Sequence, residues 1–73
     1  MTMHKSTFAY LKPTDAQMTL MDICREAATQ YAGVLERTLP EGPDKDFAMR
    51  SLRSLAMWVN VVITRKEDGS PRG

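Results

Sequence analysis

In the second half of the chain, apolar residues keep stepping by four and three through a run of β-branched side chains. Ala48, Leu52, Leu55, Val59 and Val62 hold that period across MWVNVVITR, residues 57–65. Val59, Val61, Val62, Ile63 and Thr64 favour a strand by propensity. The unbroken helical period outweighs that preference, and no other segment supplies a pairing partner. The stretch is therefore expected to be helical.

The first half supplies the partner. Pro13 keeps Lys12 out of helical conformation. Thr14 with Gln17 three residues on is a capping box, and Asp15 suits the positive end of a helix. Met21, Cys24, Ala28, Tyr31 and Leu35 then recur at helical spacing, with no proline until Pro40. These signals predict a helix over 15–38, a turn over 39–43 in LPEGPDKD, and a second helix over 44–66, with Pro43, Asp44 and Asp46 at its start. Gly33 lies inside the first helix at a cost of ~1 kcal/mol relative to alanine. Close packing against a neighbouring helix is the expected reason, with a bend or a ligand approach as alternatives. The fold class is all-α, an antiparallel two-helix hairpin with a short N-terminal arm. Residues 1–13 form the arm, 14–66 the hairpin domain and 67–73 a disordered tail.

Such a hairpin is expected to assemble. A chain of 73 residues buries only ~60% of the surface its unfolded form exposes. The single cysteine, Cys24, excludes an internal disulfide, and with His4 the only histidine the two cannot complete a tetrahedral zinc site. Leu20, Ala27 and Val34 form a second apolar stripe on helix one, and Met49, Ala56 and Ile63 do so on helix two. Two faces per helix need two sets of partners, which points to a symmetric homo-oligomer. The methionines read as adaptable filler of helix contacts.

Ten basic against nine acidic residues give a net charge of +1, which points away from duplex nucleic acid. The chain shows neither a membrane-length apolar run nor a signal-peptide pattern, so a cytoplasmic protein is expected. No nucleophile, base or carboxylate pair assembles into a catalytic set, and no nucleotide fingerprint is present. The expectation is a binding protein, not an enzyme, with no cofactor and no metal.

Several positions suit ligand binding. Tyr10, beside Lys12 and Pro13, offers a ring on which a base can stack, or an aromatic that anchors the arm. Arg25 suits phosphate, or an ordinary surface ion pair. Trp58 and Arg65 are seven apart and share a stripe of helix two. Asn60 lies about 140° round from Arg65 at ~3.6 residues per turn, so the two converge only across chains. Asn60 is also a residue type that fixes helix register.

The order YLKP, ICR and MWVNVVITR resembles the hairpin domain of phage anti-CBASS cyclic-oligonucleotide sponges, shared with the Thoeris anti-defence sponge. Family members read YHPP near the start, IR on helix one and MWANAAIAR near the end. Met57, Trp58, Asn60, Ile63 and Arg65 match in spacing, whereas Leu11 stands where the family has histidine and Cys24 separates Ile23 from Arg25. The resemblance implies a homo-hexamer that sequesters signalling nucleotides in the bacterial host cytoplasm. It implies a cyclic dinucleotide site at Tyr10, Lys12, Pro13 and Arg25, and a separate cyclic trinucleotide site at Trp58, Asn60 and Arg65. A helical oligomerisation or phage structural module without a small-molecule ligand is the alternative. A DNA-binding helical dimer is a third reading, disfavoured by the balanced charge.

Overall fold

The computed structural model describes residues 2–73. Two helices, α1 (Asp15–Thr38) and α2 (Pro43–Thr64), pack against each other as a hairpin. At ~1.5 Å per residue they are about 36 and 33 Å long.

The start of α1 follows from the capping box. Gln17 N donates to Thr14 Oγ1 at 3.1 Å, and Thr14 N donates to Gln17 Oε1 at 2.9 Å. Pro43 opens α2, with Asp44 and Asp46 in its first turn. Lys45 ties the turn between the helices. Its Nζ donates to the Glu36 carbonyl at 2.9 Å and meets the carboxylates of Glu41 at 2.6 Å and Glu36 at 3.3 Å. One side chain thereby satisfies a free carbonyl at the end of α1 and holds the loop.

The seam between the helices takes Met21, Ala28, Ala32 and Leu35 from α1, and Ala48, Met49, Leu52, Ala56, Val59 and Ile63 from α2, all at least half covered. This redistributes the expected stripes. Met49, Ala56 and Ile63 face inward, while Cys24, Tyr31, Leu55 and Val62 remain exposed. Gly33 does not serve a close helix contact within the chain. A Cβ added there would meet only Arg37 Nη1 of its own helix, at 3.3 Å.

Among the described residues no apolar side chain is buried. The molecule measures 43 × 28 × 15 Å, and its least dimension is little more than one helix diameter of ~10–12 Å. A single layer of two helices has no interior of its own.

α2 ends at Thr64, two residues before the expected boundary. Arg65 is its C-cap in extended conformation, φ −131° and ψ 152°, so it leaves the helical stripe it was expected to share with Trp58. The residues after it supply the reason. Val61 O accepts from Arg65 N, Val62 O from Arg72 Nε, Ile63 O from Gln17 Nε2 and Thr64 O from Arg72 N. The first of these is the closing bond of the helix, and the three carbonyls after it are met by Arg72 of the tail and by Gln17 from the cap of α1. Residues 67–73, read from the sequence as a disordered tail, here turn back on the end of α2, with Lys66 N donating to Ser70 O at 2.8 Å and Arg65 bridged to Pro71.

Candidate functional site

Between the helices runs an open groove of about 690 Å³, within the ~300–1,000 Å³ of ordinary ligand sites. Its size follows from small residues at the seam. Ala28 and Ala32 of α1 and Ala56 of α2 leave space that leucines would fill, and Met49, Leu52 and Val59 complete the floor. Arg25 and Thr29 of α1 stand with Arg53, Met57 and Asn60 of α2 along this groove. The last three step by four and three, so they share one stripe, and the sequence carried that signal for Arg53.

Arg25 and Asn60 therefore lie on one groove, although the sequence reading puts them in different sites. Arg25 pairs with Asp22 at 3.0 Å, both side chains being about two-thirds exposed. A pair this open contributes only ~0–1 kcal/mol, so an incoming phosphate can take the guanidinium at little cost. Arg53 has no hydrogen-bond or ion-pair partner among the described residues. The groove thus offers two guanidinium groups, one amide and an apolar floor.

The remaining expected site residues lie elsewhere. Tyr10 is 85% exposed and Trp58 62%. Neither borders the groove, nor do Lys12 and Pro13. The exposure of Tyr10 means that its ring does not anchor the arm to its own hairpin. Within one chain Tyr10 and Arg25 do not converge on a common pocket.

Arg65 is already engaged. Its Nη1 donates to Ser6 O and Gly69 O, each at 2.7 Å, and its Nη2 donates to Ala9 O. The guanidinium faces the arm and the tail, while Asn60 faces the groove. These two residues do not meet in one protomer. The Arg65 clasp was not visible in the sequence, because its acceptors are main-chain carbonyls that any residue carries.

Two titratable groups are shifted. Lys45 is held above its ordinary value mainly by its hydrogen bond to Glu41, against the opposing effect of burial. Asp68 is held below its ordinary value by hydrogen bonds from the Ser70 hydroxyl and amide. Both belong to the tied ends of the hairpin, not to the groove. Among the described residues no group of three His, Cys, Asp or Glu side chains is placed to hold a metal.

A family model, the Acb2/Tad1 hairpin domain, matches residues 3–64. The chain belongs to that family. The Acb2/Tad1 hairpin is the domain of the anti-CBASS sponges, a non-catalytic family whose function is to hold cyclic nucleotides. The match runs from the arm through both helices and takes in Tyr10, Lys12, Pro13, Arg25, Trp58 and Asn60, ending one residue before Arg65. No curated protein and no solved structure matches the chain. No helix among the described residues is long and apolar enough to cross a membrane.

Proposed function

We propose that this Acb2/Tad1-family hairpin is a sponge that binds cyclic dinucleotide immune signals and withholds them, unhydrolysed, from CBASS-type antiphage defence. The observation that carries the proposal is the family match over residues 3–64. In this reading the chain is phage-encoded, works in the bacterial host cytoplasm and forms a homo-hexamer.

The single-layer fold supports the assembly. Leu20, Ile23, Tyr31, Leu55, Val62 and Trp58 are all exposed in one chain, and a soluble monomer rarely carries so much apolar surface uncovered. Symmetric packing covers it and brings the Tyr10 ring of one chain to the Arg25 of another. A cyclic dinucleotide has two bases and two phosphates. Two copies of Tyr10, each stacking on a base, and two copies of Arg25, each on a phosphate, match that pseudo-two-fold shape. Lys12 and Pro13 border the tyrosine. A second site for cyclic trinucleotides is assigned to Trp58, Asn60 and Arg65, with contributions from several chains.

Calorimetry of the full chain against a panel of cyclic di- and trinucleotides tests the reading, and denaturing the complex to recover intact nucleotide separates storage from hydrolysis. The exposed apolar surface also suits a helical adaptor with no small-molecule ligand. Thermal shift divides the two. A ligand at 100-fold over Kd adds ~2.7 kcal/mol to a sponge, whereas an adaptor shows no change.

A further inference from the structure

The backbone on both sides of Tyr10 is fixed, although its ring is free. Upstream, Arg65 holds Ser6 O at 2.7 Å and also Ala9 O, the carbonyl of the residue immediately before the tyrosine. Downstream, Thr14 is locked into the cap of α1. Only residues 10–13 bridge the two fixed points.

The upstream fixture is built by the tail. Gly69 O takes the second bond of Arg65 Nη1 at 2.7 Å. Asp68 O accepts from His4 N at 2.5 Å and from Thr7 Oγ1 at 3.3 Å, and Ser6 Oγ donates to Gly69 O at 3.4 Å. Gly69 is buried, with φ +91°. A Cβ there would run into Thr7 Oγ1 and stand 3.0 Å from Thr7 Cβ. Glycine is thus required twice, for the backbone conformation and for the close approach of arm to tail.

We infer that Arg65 and the tail turn at Gly69 form a clasp that sets the position of Tyr10, making Arg65 a positioning residue of the dinucleotide site. The inference rests on the reading of Tyr10 as the stacking platform. A platform ordered in advance binds more tightly than one that must be ordered by its ligand. Arginine suits the task because its planar fork presents several donors in fixed directions. A lysine ammonium carries the same charge but cannot span the same three carbonyls.

The test uses the full chain and two variants, Arg65→Lys and Gly69→Ala, neither of which alters Tyr10 or Arg25. Amide hydrogen exchange is followed at Thr7 and Ala9, whose N–H groups donate within the arm. Affinity is measured for the tightest member of a panel of 3′,3′- and 2′,3′-linked cyclic dinucleotides. Both variants are expected to speed exchange about tenfold and to weaken dinucleotide binding about tenfold. Oligomer mass and helical circular dichroism stay at wild-type values.

If Arg65 acted only by its charge, Arg65→Lys would keep full affinity, and that result overturns the clasp. Unchanged exchange in Gly69→Ala overturns it as well. A wild-type chain that binds no cyclic dinucleotide sinks the sponge reading, and the positioning role with it. Unchanged exchange beside normal wild-type binding sinks the clasp alone.

Discussion

The Arg65 guanidinium stands 2.7 Å from the carbonyl oxygen of Ser6, a residue 59 positions earlier in the chain. This bond joins the two termini across the open end of the hairpin, as Lys45 joins the helices at the turn. The hairpin is tied at both ends and bare along its length. Its exposed apolar residues and its groove lie between the ties, where other chains and a ligand have access.

The tie at the turn sets an alkaline limit. Lys45 has a raised value when folded, so its contribution is fully present below the ordinary lysine value of 10.5 and is lost as pH rises through the higher folded one. Thermal unfolding followed by circular dichroism is expected to be flat through neutral pH in this respect and to weaken only above 10.5. Lys45→Met should melt several degrees lower at pH 7 and lack the alkaline step. Equal melting of the variant and wild type would remove Lys45 as the tie.

The other end has an acid limit. Asp68 is lowered in the folded chain, so its contribution is present above the ordinary value of 3.8 and is lost as pH falls through the lower folded one. The Ser70 amide, which donates to Asp68 Oδ1 at 3.0 Å, should keep its chemical shift down to about pH 4 and move below it. In Asp68→Asn that acid transition should be absent.

Thr14→Ala removes the side-chain acceptor for Gln17 N. Loss of such a cap costs about 1 kcal/mol. Urea unfolding should show a lower midpoint with an unchanged slope. An unchanged midpoint would mean that the cap contributes nothing.

Most of the fold was legible because its signals are local. Thr14 and Gln17 form the cap their spacing announced, and the β-branched run after Trp58 is helical because Leu52 and Val59 keep the seam period through it. What was not legible depends on contacts between distant residues. Two apolar stripes on each helix carry similar hydrophobicity, so sequence did not decide that Met49 and Ala56 face inward while Leu55 and Val62 face out. Arg65 continued the helical pattern on paper, yet the tail's hydrogen bonds end α2 before it. For the candidate site, Arg25 and Asn60 stood out by residue type, and the structure adds that they share a groove with Arg53. Arg53 was passed over because its spacing puts it on one stripe with Met57 and Asn60 but does not say that this stripe borders a groove.

Assembly should be sensitive to charge on the exposed apolar side. Leu55 is 59% exposed, so Leu55→Lys adds a cation without disturbing the seam of its own chain. Light scattering is expected to show a homo-oligomer for the wild type and a smaller mass for the variant, with helicity retained. A wild-type chain that scatters as a monomer would remove the assembly and the composite site built on it.

A sponge captures a cyclic nucleotide without destroying it. Calorimetry of wild type, Tyr10→Ala and Arg25→Ala against the cyclic nucleotide panel tests it most directly. The wild type should bind at least one cyclic dinucleotide tighter than micromolar, about −8 kcal/mol. Tyr10→Ala should lose the ~1–3 kcal/mol of a base stack, and the bound nucleotide should be recovered intact. No binding tighter than micromolar by any member of the panel, or recovery of a cleaved product, would mean that the protein is not a sponge.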